Sequence, residues 1–180
     1  MNCEYCKDGI CKNDACPMRG YYCPLIGVVG ICKYESIEPL EPLERFVEAQ
    51  SRTYEQALKE IKAGHKTTHW MWWIFPQYRG LGESLVAKHY EIQSREEARA
   101  YWEHPVLGAR LRECMRALLA LNTNDAEEVF GELDALKLKS SMTLFYYNGG
   151  QNLCGEVLEK FFPKELCWAT IKILLNEVEK

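Results

Sequence analysis

From Leu43 onward apolar residues return at helical spacing, whereas residues 1–36 show no such period. Leu43, Phe46 and Val47 share one face through Gln50, and Thr53 followed by Gln56 forms a capping box that predicts a second helix. Tyr54, Ala57, Leu58 and Ile61 supply that helix with its apolar stripe, and Gly64 with its stop. Further helices are predicted from Ser84 to Tyr90 and from the capping box Ser94-Arg95-Glu96-Glu97. Another starts at Pro105 and carries the stripe Leu107, Leu111, Cys114, Met115, Leu118 and Leu119. Asn124 or Asp125 caps a short helix ending near Gly131, and residues 134–139 lead into the run Ser140 to Tyr147. Residues 148–152 read as a loop. Val157, Leu158, Phe161 and Phe162 form a stripe closed by Pro163, and residues 166–178 form a last helix. With no set of alternating strands, the expected fold is all-α, about seven helices in one compact domain over residues 43–180.

One stretch departs from the pattern. His69 to Gly82 packs Trp70, Trp72, Trp73 and Phe75 beside a histidine, a proline, a glutamine, an arginine and two glycines, so a large apolar area adjoins backbone that cannot stay helical. Such a segment builds a pocket wall. Read as packing alone, Trp72, Trp73 and Phe75 belong to the core.

The N-terminal residues are organised by sulfur. Cys3, Cys6, Cys11, Cys16, Cys23 and Cys32 lie among glycines and prolines in a segment too short to bury a core, so its order must come from metal or cross-links. In a reduced compartment metal is the better choice, and Cys3-x-x-Cys6 has the spacing that presents two thiolates to one tetrahedral zinc. The expectation is a small irregular knuckle over residues 1–36 holding structural zinc, with an iron–sulfur cluster as second choice. A closed all-sulfur site points to folding or docking of a protein partner. Pro39 and Pro42 make residues 37–42 an extended linker.

Composition narrows the classes. A 47% hydrophobic and 12% aromatic chain of 180 residues supports a buried core. No apolar run reaches the roughly 20 residues needed to span a bilayer, and the N-terminus lacks the regions of a signal peptide. A cytoplasmic protein without membrane contact is expected. The net charge of −4 disfavours a broad nucleic-acid surface.

Several runs carry a resemblance: Arg45 to Gln50; His69-Trp70-Met71-Trp72 with Phe75-Pro76-Gln77 and Gly80-Leu81-Gly82; His104 to Gly108 with Arg110-Leu111; Gly131; and Lys137 to Phe145. Over Leu43 to Phe162 the chain resembles the bacterial family known as domain of unknown function 1810, whose members are sometimes mislabelled calpastatin. The resemblance implies a compact, mainly helical domain and brings no established activity. The cysteine-rich extension departs from the usual member.

The candidate chemistry lies in two of these runs. His69, Lys137 and Ser140 are the catalytic candidates, and Trp70, Trp72, Gln77, Arg79, Ser141 and Thr143 the ligand-binding ones. Rings, cations and hydroxyls together suit an anionic or nucleotide-like small molecule, provided the two runs face one cavity. Lys59, Lys62 and Lys66 read as a solvated face. No phosphate-binding loop, metal-hydrolase helix or nucleophile elbow is present, so no reaction is assigned. The alternative is a protein- or nucleic-acid-interaction module that docks through the zinc knuckle, with the helical domain as scaffold.

Overall fold

A computed structural model describes residues 6–7, 10–11 and 43–178, and the chain divides into two units, Met1–Glu41 and Pro42–Lys180. In the first unit, β1 (Cys6–Lys7) pairs antiparallel with β2 (Ile10–Cys11), setting Cys6 opposite Cys11 along the backbone. The remaining cysteines of the expected zinc knuckle, its side chains and the linker lie outside the described residues. Residues 43–178 are helical, with nine helices rather than about seven. Among the described residues no helix is long and apolar enough to cross a membrane.

The first difference from the expected elements is α1 (Glu44–Lys62), which runs unbroken where two helices were expected. Thr53 does not cap. Its hydroxyl donates back to the Ala49 carbonyl at 2.7 Å and accepts the Trp73 indole N–H at 2.8 Å, a use of threonine that leaves the helix continuous. The helix ends at Gly64, whose φ of +68° suits only glycine at low cost. The Gly64 and His65 amides return to the Ile61 and Glu60 carbonyls, a Schellman motif.

The following loop is tied to the helix it has just left. Glu60, 4% exposed, receives six hydrogen bonds at 2.7–3.0 Å. The donors are the Gln56 amide, the backbone N–H and hydroxyl groups of Thr67 and Thr68, and the Trp70 indole. Thus fixed, the chain makes the single turn α2 (Met71–Ile74), and a parallel bridge between Tyr78 and Ile92 closes the next loop. Gln50 supports α2 from α1, donating to the Trp73 carbonyl at 2.8 Å and to the Tyr101 hydroxyl at 2.9 Å.

Ser84 caps α3 (Leu85–His89), and Ser94 caps α4 (Arg95–Glu103). Glu97 does not complete the expected capping box on Ser94. It takes the Gln93 amide at 2.6 Å and pairs with Arg45 at 2.6 Å, fastening α4 to α1. After α5 (Leu107–Leu119) and the Asp125-capped α6 (Ala126–Phe130), Gly131 serves both as the end of α6 and as the start of α7 (Glu132–Tyr146), with φ +76°. Helix α7 packs on α4, on α6, on α8 (Gln151–Phe161) and on α9 (Trp168–Val178). Its residues 140–145 are all buried.

Glu60→Ala is expected to lower the free energy of unfolding by about 3 kcal/mol in urea denaturation, because a buried charge network loses its centre. Burial works against ionisation of Glu60, but the hydrogen bonds from Gln56, Thr67 and Thr68 outweigh it and hold the carboxyl below the usual glutamate range. Its stabilisation is therefore full above that range and is lost as pH falls through the depressed native value. Wild type should lose more stability on acidification than Glu60→Gln. Parallel stability–pH curves would refute the assignment.

Candidate functional site

A cleft of about 640 Å³ opens between the aromatic stretch and the start of α7. One wall is Trp72, Gln77, Leu81, Gly82, Glu83, Ser84 and Ala87. Leu136, Lys137, Lys139 and Ser140 of α7 face it, and Leu166, Cys167 and Trp168 complete the lining at the start of α9. Each wall has an identifiable support. The Tyr78–Ile92 bridge draws the Ile92 amide to the Gln77 carbonyl at 2.9 Å, fixing the backbone from which Gln77 projects. On the other side Thr143 accepts the Cys167 amide at 2.9 Å while donating to the Lys139 carbonyl at 2.7 Å. The Ser140 and Thr170 hydroxyls meet at 2.9 Å. These contacts hold the beginning of α9 against α7.

The cations of the cleft are ordered by carboxylates. Asp134 holds Lys137 at 2.7 Å from one oxygen and Lys66 at 2.6 Å from the other. Burial raises the Asp134 carboxyl, yet its hydrogen bonds with Lys137 and Lys66 prevail and keep it below the ordinary aspartate range. Lys137 lies over the Trp72 ring, 4.6 Å from its centroid, so that face of the indole is already covered by a cation. Lys139 pairs with Glu165 and sits over the Phe162 ring at 5.6 Å.

Of the candidate residues, the structure brings Trp72, Gln77, Lys137 and Ser140 to one cavity. It does not bring the others. His69 is exposed and outside the lining. Trp70 is core, 1% exposed, with its indole on Glu60. Arg79 is exposed and contributes its backbone amide to the bridge with Ile92. Thr143 acts behind the wall, and the buried Ser141 hydroxyl has no hydrogen-bond partner among the described residues. Trp72, read as core, lines the cleft, whereas Phe75 is fully buried. Lys66 is not part of a solvated face: its side chain is only 8% exposed, because Asp134 pairs with it and the Trp70 ring lies 5.3 Å away. Lys59 and Lys62 are exposed as expected.

Sequence reasoning missed Trp168, which lines the cleft and is 76% exposed. It stands in the first turn of the last helix, past the Pro163 break, where it read as one more apolar residue of that helix. Lys139 was missed as well, being hidden in a run read only for its neighbours.

A family model described as a protein of unknown function (DUF1810) matches residues 40–174, extending past Phe162 to take in Trp168. The crystal structure of the conserved hypothetical protein Rv1873 from Mycobacterium tuberculosis is similar at a TM-score of 0.72 and 43% identity, covering 74% of this chain and 96% of that one. Among curated proteins none matches the chain.

Thr143→Val removes the acceptor for the Cys167 amide and should cost about 1 kcal/mol of stability in chemical denaturation. It should also increase hydrogen exchange at Cys167 more than at α5. Unchanged stability and exchange would show that the start of α9 is held by something else.

Proposed function

The chain belongs to the DUF1810 family, and from its cleft we propose that it binds a small anionic ligand carrying a flat ring. The observation that carries this reading is the meeting of Trp72 and Gln77 with Lys137, Lys139 and Ser140, beside the open ring of Trp168. An ammonium engaged with one carboxylate oxygen keeps two further N–H donors, so Lys137 can receive an anionic oxygen without leaving Asp134. With Lys137 over Trp72, the stacking surface for the ligand is Trp168 rather than Trp72. Gln77 offers both a donor and an acceptor to the edge of a ring. This describes binding and names no reaction, since none of the cleft residues forms a nucleophile–base pair among the described contacts.

A second reading is favoured by Trp168 and Leu136, 76% and 56% exposed at the same cleft, which suit the apolar anchor of a protein partner. A calorimetric panel of adenosine 5′-monophosphate, adenosine and inorganic phosphate separates the two. Ligand binding predicts that the monophosphate binds best. Lys137→Ala should weaken it about ten- to hundredfold, the worth of one charge-assisted hydrogen bond, and Trp168→Ala about tenfold. If no member binds, or if Lys137→Ala binds like wild type, the small-molecule reading fails.

A further inference from the structure

The positive end of the cleft is built by three residues, of which only Lys137 lines it. Lys66, in the loop after α1, pairs with the Asp134 oxygen opposite the one that holds Lys137, and it is absent from the cleft lining. Two lysines share one carboxylate, and among the described residues no second carboxylate pairs with either. The trio therefore carries one positive charge in excess, half-buried, where its field is less screened than at an open surface. Without Lys66 the Asp134–Lys137 pair would carry no net charge. The other lysine of the cleft is in that condition, since Lys139 pairs with Glu165 alone among the described residues.

We infer that Lys66 sets the anion affinity of the cleft from outside it, by holding Asp134 so that the charge of Lys137 is left for the ligand. The inference rests on the cleft-binding reading above and deepens it: the ligand's anionic group, a carboxylate or phosphate oxygen, is recognised by the surplus charge of the Lys66–Asp134–Lys137 trio. Lys66 is a positioning residue here, and Lys137 makes the contact. Shape and hydrogen bonding at Lys137, Gln77 and Trp168 stay the same when Lys66 is neutralised, so only charged ligands should notice.

The test is calorimetric titration with adenosine 5′-monophosphate and with adenosine, on wild type, Lys66→Met, Asp134→Asn and the double variant Lys66→Met/Asp134→Asn. Lys66→Met should bind the monophosphate about tenfold more weakly, the effect of one unit charge several ångströms away in a partly screened site. Its affinity for adenosine should not change. The double variant restores the single excess charge on Lys137 and should return to within about threefold of wild type. Asp134→Asn, with two uncompensated lysines, should bind the monophosphate more tightly than wild type. Lys66→Met affinity equal to wild type, or a double variant as weak as Lys66→Met, would overturn the inference while leaving the cleft reading intact. Absence of binding by wild type would instead overturn the cleft reading and this inference with it. Should Lys66→Met fail to fold, the comparison of Asp134→Asn with the double variant decides, and equal affinities there would overturn the inference.

Discussion

Glu60 places a buried negative charge in the last turn of α1, the end of a helix where the backbone dipole already points negative. That position is unfavourable until the charge is answered, and the answer comes from the chain that follows. Thr67, Thr68 and Trp70 bring their N–H and hydroxyl groups back to the carboxylate, so the loop after Gly64 has little choice of path. The aromatic stretch starts from a fixed point. Trp70 is pulled into the core against Phe75 and Phe130, and Trp72 is thereby turned toward the cleft.

The same loop carries Lys66, whose backbone amide binds the Val129 carbonyl at 2.8 Å while its ammonium reaches Asp134. Folding and cleft electrostatics thus pass through adjacent residues. The runs Arg45–Gln50 and Lys137–Phe145 divide in the same way between support and surface. Arg45 and Gln50 fasten α4 and α2 to α1, while Ser140 and Thr143 fasten α9 to α7. Only Lys137, Lys139 and Ser140 of the second run reach the cavity.

What could be read from the chain follows from how each element is buried. Helices with one apolar face, such as α5 and α8, announced themselves through periodicity, and Ser94 and Asp125 marked true starts. Helix α7 did not, because it is covered on several sides and its buried residues form no single stripe. Thr53 resembled a cap because its spacing to Gln56 is right, but a threonine hydroxyl bonding back to the preceding turn has the same local sequence. Lys66 looked solvated because its partner Asp134 lies far along the chain, and a long-range ion pair leaves no periodic trace. For the same reason the chain suggested which two runs carry polar chemistry, but not that His69 and Arg79 would stay outside the cleft and Trp168 would enter it.

The Glu60 carboxylate fixes the segment from which both the aromatic wall and Lys66 project. Residue-resolved hydrogen exchange on wild type and Glu60→Gln reads out this anchoring. Amides at Lys66, Thr67, Thr68 and Arg79 should lose protection well beyond any loss in α5 and α8, because their anchor is weakened while the bundle remains folded. Protection that is unchanged at these four amides, or that falls uniformly over the whole domain, would contradict it.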